Sequence, residues 1–268
     1  MSTLRDYITR IRSEGYLSFT TQEAAQDLRI SESTVRVKCK RLKDRGDLLS
    51  PVKGLYIILP PEHHKMGSLP ADELVPIVMK YWKMDYYVCL LSAALYHGAS
   101  HQKPQVFQVM INRRERGIKS GKVVIKLVYK KSLKNSPQQQ FTTKSGYLNV
   151  ATPELTVIDL LLYPKLCGGL NNIATILSEL IEGVDSNKLL QLAEQTKQKI
   201  WIQRLGYILE QIESDDENRK NILIEKLQKF TEGKKFFYIP LAPEIQSLGF
   251  PRNKRWKIIV NTSIEADE

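Results

Sequence analysis

Nowhere does the sequence reach the roughly 18 unbroken apolar residues that a membrane span requires, so its apolar content is expected to fill soluble cores. It does not open with a charged, then apolar, then small-residue leader, and no secretion is expected. Cysteine is scarce. Cys39, Cys89 and Cys167 are odd in number, far apart and set among apolar neighbours, the usage of reduced thiols in a cytosol. Metal spacing is also missing: His97 and His101 lie four apart, but Gly98 interrupts a helix between them and no further Cys or His is near, so no metal site is expected.

Acidic residues are missing from one block. Residues 101–151 carry 11 Lys and Arg against one acid, Glu115, while residues 1–60 carry 11 against 7, residues 61–100 carry 3 against 4, and residues 152–268 carry 15 against 17. Nearly all of the +11 net charge therefore sits in that block. A polyanionic partner is the first implication, with plain solubility as the alternative. The same shortage argues against a metal-dependent nuclease, which needs two or three carboxylates converging at strand ends. Glu154 and Asp159 are five apart on a helix and are expected to face different directions. No Ser, His and Asp grouping, nucleophile elbow or dinucleotide fingerprint occurs. The run GIKSGK at 117–122 resembles a phosphate loop only superficially: it is one residue short, Val123 stands where Ser or Thr should bind metal, and a strand rather than a helix follows. The sequence predicts neither an enzyme nor a cofactor.

What is present is organised around YYVCLLSAALYHGASHQKPQVFQVMI, residues 86–111. Small and apolar residues recur at helical spacing from Tyr87 to Gly98, predicting a central buried helix. A polar corner from Ser100 to Pro104 then leads into a strand over Val106 to Ile111. Ahead of this lie three short helices. Thr20 with Glu23 has the form of a capping box, and Ser31 caps a third helix whose buried stripe is Val35, Cys39 and Leu42. Ser33, Thr34, Arg36, Val37, Lys40 and Arg41 must then point outward. DLLSPVKGLYIIL reads as two strands around a turn with Lys53 at its tip. This is a winged helix-turn-helix, in which the third helix enters the major groove and Lys53 lies beside phosphate, unless the module serves only protein interaction.

HHKMGSLP, after Pro60 and Pro61, is read as a domain connection. Beyond the central strand, NRRERGIKSGK forms a basic hairpin-like loop. VVIKLVYKK is a strand with one buried and one partly basic face, residues 132–144 an exposed loop, and residues 146–150 a third strand. Thr152 and Pro153 open a helix, three more helices and a charged one follow, and short strands close the chain. The helix over 198–212 is expected to be amphipathic, with Arg204 opposite its apolar side. The expected fold is mixed α/β (α+β): a winged helix-turn-helix at 1–60, a linker at 61–70, and a larger mixed domain at 71–268 with a central sheet and C-terminal helices.

The run at 86–111, with TPELTVIDLLLYPKLCGGLNNIATILSEL and WIQRLGYILE behind a winged helix, resembles the AbiEi family of antitoxins and transcriptional regulators over nearly the whole chain. The resemblance implies a non-enzymatic cytoplasmic protein of bacterial phage defence by abortive infection, encoded beside a nucleotidyltransferase toxin. Its winged helix would repress the shared operon at inverted repeats and its larger domain would neutralise the toxin; direct contact with the toxin and cooperative binding on DNA are left open. Cys167 with Gly168 and Gly169 is a departure from the family pattern that leaves the reading intact. The candidate DNA-binding residues are Ser33, Thr34, Arg36, Lys40, Arg41 and Lys53. A second basic patch comprises Arg113, Arg114, Arg116, Lys119, Lys122, Lys126, Lys130 and Lys131, expected to form one face. A plain DNA-binding regulator, or an RNA-binding protein that shields the toxin's substrate, are the alternatives.

Overall fold

The computed structural model describes residues 3–99, 104–144, 146–214 and 216–265, and the chain forms two compact units. The first comprises residues 1–87, 105–133 and 140–149; the second comprises residues 88–104, 134–139 and 150–268.

The first unit opens with α1 (Leu4–Ser13), β1 (Ser18–Thr20), α2 (Thr21–Leu28), α3 (Glu32–Asp44), β2 (Leu48–Leu49) and β3 (Leu55–Ile58). Side-chain caps set the helix starts. Thr20 accepts from the Glu23 amide while the Glu23 carboxylate accepts from the Thr20 amide, the reciprocal box expected of that spacing. Ser31 Oγ accepts from the Thr34 amide at 3.2 Å and opens α3. Val35, Cys39 and Leu42 then bury as one stripe against Leu4, Tyr7, Ile11 and Phe19, giving residues 4–58 a core of their own. Phe19 stacks on Tyr56 with centroids 5.5 Å apart and meets Tyr7 edge-on at 5.4 Å. The three strands are antiparallel in the order β1-β3-β2.

The connection that follows is packed. A 3-10 turn covers Pro61–His63, and Ser68 and Leu69 are fully buried ahead of α4 (Ala71–Trp82). Next come β4 (Tyr86–Val88), β5 (Phe107–Ile111), β6 (Ile118–Ser120), β7 (Val123–Tyr129), β8 (Gln138–Thr143) and β9 (Gly146–Ala151). They form one sheet in the order β6-β7-β5-β4-β9-β8, most of it in the first unit. β5 runs parallel to β7 with Val109 opposite Leu127, and β6 folds back antiparallel with Ile118 opposite Ile125. At the β6–β7 turn Gly121 has φ +51°, and a Cβ there would fall 2.3 Å from the Met66 carbonyl oxygen. The next amide, of Lys122, donates to that oxygen at 3.0 Å. Only glycine lets the hairpin turn lie against residues 66–67.

The second unit holds α5 (Leu90–Tyr96), α6 (Pro153–Leu162), α7 (Leu170–Leu180), α8 (Ser186–Gln195), α9 (Ile200–Leu209) and α10 (Glu217–Thr231). The short strands β10 (Ile239–Pro240), β11 (Arg252–Asn253) and β12 (Ile258–Ile259) make a small sheet in the order β10-β12-β11. Thr152 caps α6 with Pro153 at its first position, as the sequence predicts.

Four expectations are corrected. The central helix does not begin at Tyr87: residues 86–88 are strand, and Leu90, buried at φ +53°, turns the chain into a seven-residue helix. A left-handed non-glycine conformation costs roughly 1–2 kcal/mol, a cost that burying Leu90 offsets. Residues 132–144 are not one exposed loop, because Gln138–Thr143 forms the edge strand β8, its side chains alternating between exposed and partly buried. The two faces of β7 exchange environment along its length: Val124 and Lys126 are exposed, whereas Val128 on the same face is buried and Tyr129 on the other is exposed. Finally, α9 is buried all round from Trp201 to Leu209, Arg204 included. The guanidinium lies 3.4 Å from the carbonyl oxygens of Leu161 and Pro240, and burial lowers its pKa. The expected corner at Ser100–Lys103, with His101, lies outside the described residues.

Candidate nucleic-acid interface

The outward side of α3 follows from its buried stripe. With Val35, Cys39 and Leu42 inside, Ser33, Thr34, Arg36, Lys40 and Arg41 are all exposed. The hydroxyls of Ser33 and Thr34 lie 2.7 and 2.8 Å from Ser31 Oγ, which gathers three hydroxyls at the start of the helix. One turn on, the Arg36 guanidinium donates to Glu32 at 2.6 Å. Both side chains are about half exposed, so the pair is worth little and can open in favour of a phosphate or a base edge. Val37 was not among the candidates, yet it lies in the middle of the same face at 59% exposure. An exposed β-branched side chain among cations is suited to a thymine methyl group.

Lys53 is exposed at the tip of the β2–β3 turn. Its carbonyl oxygen accepts from Tyr81 Oη of α4 at 3.0 Å, which fixes the turn. An open cleft of about 680 Å³ lies beside it, lined on one side by Pro51, Val52, Lys53 and Trp82, and on the other by residues 114–119. Lys53, Arg114, Arg116 and Lys119 are thereby brought together with a single acid, Glu115. Arg113 is ion-paired to that acid at 2.8 Å. Trp82 was missed from the sequence because a lone Trp at a helix end carries no spacing signal.

The remaining cations do not all gather here. Arg114 also lies over the exposed Tyr129 ring, 5.1 Å from its centroid. Lys119, Val124 and Lys126 share one exposed side of the β6–β7 hairpin, since Lys119 stands opposite Val124. Lys122 is exposed at the hairpin turn and Lys131 just past β7. Lys130 is half-buried and donates to Tyr87 Oη at 2.9 Å, which makes its role structural in part.

A family model described as "AbiEi antitoxin C-terminal domain" matches residues 86–211, starting at β4 and ending just past α9. Over those residues, just under half of the chain, the protein is similar to the AbiEi antitoxin family. The match supports a toxin-antitoxin role. No curated protein matches the chain. Among solved structures it is similar to the crystal structure of the RV2827C protein from Mycobacterium tuberculosis, at 15% identity and a TM-score of 0.64, over 94% of this chain and 89% of that one. At that identity the likeness shows a shared fold, and it takes in the N-terminal elements as well as the AbiEi domain. No described helix is long and apolar enough to cross a membrane, and no group of three or more His, Cys, Asp or Glu among the described residues could hold a metal ion.

Proposed function

We propose that this protein, with its AbiEi-like domain, is an antitoxin and also the repressor of its own operon. In this reading residues 1–60 form a winged helix-turn-helix, residues 61–70 connect it onward, and residues 71–268 act on a co-encoded nucleotidyltransferase toxin in a cytoplasmic phage-defence system. The observation that carries the DNA-binding half is the shared cleft: the turn bearing Lys53 and the loop bearing Arg114, Arg116 and Lys119 line one depression, in the unit that also presents the basic side of α3. A helix in the major groove with flanking cations on phosphate is the arrangement that releases counterions and reads base edges together. Ser33, Thr34, Arg36, Lys40 and Arg41 are assigned to the groove, and Lys53 with the cleft cations to the flanking backbone. The reading gives the chain no catalytic role and needs no cofactor.

Gel shifts on the DNA upstream of the operon test it. Alanine at Arg36, Lys40 and Arg41 together is expected to weaken binding and to reduce the salt slope by about one for each phosphate that is no longer neutralised. Unchanged affinity with an unchanged slope overturns the assignment.

A further inference from the structure

We infer that the second unit carries a separate site for single-stranded nucleic acid, in the cleft between the start of α9 and the segment after α10. It does not depend on the operator reading and lies on other residues. The cleft, of about 480 Å³, is lined by Lys197, Lys199, Lys234, Lys235 and Phe237, with the Gln203 amide at its base, and no acid lines it. Over residues 229–257 there are seven Lys and Arg against two acids, a local excess hidden by the net negative count of residues 152–268.

The arrangement is held in place. Gln203 is almost fully buried in α9, and the two N–H groups of its amide are shared among the carbonyl oxygens of Phe237, Trp256 and Lys257, which lie 2.9, 3.0 and 3.1 Å from the nitrogen. The backbone of Phe237 is thereby fixed while its ring stands 69% exposed. An isolated exposed Phe is common on protein surfaces, but this one is anchored from behind, has Lys235 beside its ring and shares its cleft with three further lysines. Lys234 lies 3.1 Å from the Phe230 ring centroid with Lys199 over the same ring at 5.7 Å, and Lys235 lies 5.4 Å from that of Phe237. The ammonium groups are thus placed beside aromatic rings, and none of them is ion-paired to a carboxylate among the described residues. The first turn of α9 faces this cleft with no side-chain cap at Lys199, so its amide ends add positive potential.

Lysines along a groove attract a phosphate backbone of any sequence, and an exposed aromatic face accepts a base. Together they define a platform for an unpaired strand. A duplex keeps its bases stacked on one another and offers Phe237 nothing to stack on. An acidic protein surface would match the lysines but leave the anchored ring unused.

The test uses the full-length chain and fluorescence anisotropy with 5′-labelled oligouridylate and oligothymidylate of about 12 nucleotides, a length within the usual range for such sites. The Arg113, Arg114 and Arg116 to Glu variant serves as background, so that the first unit does not mask the signal. Phe237→Ala is expected to weaken binding roughly five- to hundredfold, the range for loss of one base stack. Lys234→Ala with Lys235→Ala should lower the salt slope, and both sets of substitutions, made in the otherwise unaltered chain, should leave operator binding unchanged. Preference for the ribo-oligomer identifies RNA as the strand, and equal binding of both identifies a backbone-and-stacking site; either supports the proposal. Three results overturn it: unchanged oligonucleotide affinity in both folded variants, equal binding of a blunt duplex at this cleft, or intact oligonucleotide binding with loss of rescue from the toxin, which would make the cleft a protein-docking surface.

Discussion

The indole of Trp256 occupies the space that any side chain at position 206 would need: a Cβ on Gly206 would fall 2.3 Å from Cζ3 and 2.4 Å from Cε3 and Cη2. Gly206 sits inside α9, where an alanine would ordinarily stabilise the helix by about 1 kcal/mol. Here the ring is 1% exposed and has nowhere to go. Gly206→Ala is therefore expected to destabilise the second unit by about 1–3 kcal/mol, the usual cost of overpacking. Urea unfolding checks both sign and size, and a variant more stable than wild type would contradict the packing described.

Reversing Arg113, Arg114 and Arg116 to Glu removes two cations from the cleft beside Lys53 and turns them into anions. Weaker operator binding by at least tenfold, with rescue from the toxin retained, is the expected outcome. Lost rescue with normal operator binding would instead assign the loop to the toxin or to its RNA.

Legibility from the sequence was uneven, for physical reasons. Thr20, Glu23 and Ser31 act within four residues of themselves, so both caps and the stripe of Val35, Cys39 and Leu42 could be read directly. Tyr86–Val88 could not, because a strand apolar on both faces has no period to separate it from a buried helix. β8 was hidden by its composition: an edge strand of Gln and Thr is held by backbone pairing with its neighbour, which no local pattern reports. Arg204 was assigned outward because charge normally is, and its enclosure comes from segments about 40 residues away in either direction. The candidates on α3 follow from helical spacing alone. That Lys53 and residues 114–119 share a cleft required the fold.

Gly121→Val should uncouple the β6–β7 turn from residues 66–67. The substitution places carbon atoms where the Met66 carbonyl oxygen lies and strains a positive φ. We expect a loss of about 1–3 kcal/mol in the first unit, by analogy with other left-handed and overpacked positions. Faster hydrogen exchange at the Lys122 amide is the more direct reading, since that amide donates to Met66.

His97 gives the second unit a pH dependence. Its Nε2 lies 2.7 Å from the Ala151 carbonyl oxygen and its Nδ1 3.2 Å from the Gln139 amide, and burial lowers its pKa below the ordinary 6.5. The unfolded chain then binds the proton more readily than the folded one. Stability is complete above about pH 6.5 and falls as the pH drops from there toward the lowered folded value. Unfolding midpoints at about pH 7.5 and 5.5 should separate more for wild type than for His97→Gln, which cannot take up the proton. Equal separation would exclude His97 as the source.

The three cysteines are buried at separated positions, Cys39 in the first unit and Cys89 and Cys167 in the second, and none is in a disulfide. Burial pushes the Cys39 thiol up to about 11, which keeps it protonated and slow toward electrophiles while its helix is in place. Burial makes Cys39 a clock hand for the first unit, and Cys89 and Cys167 two for the second. A brief alkylation pulse followed by peptide mapping would time the opening of the two halves independently, in the unaltered chain and without any engineered label.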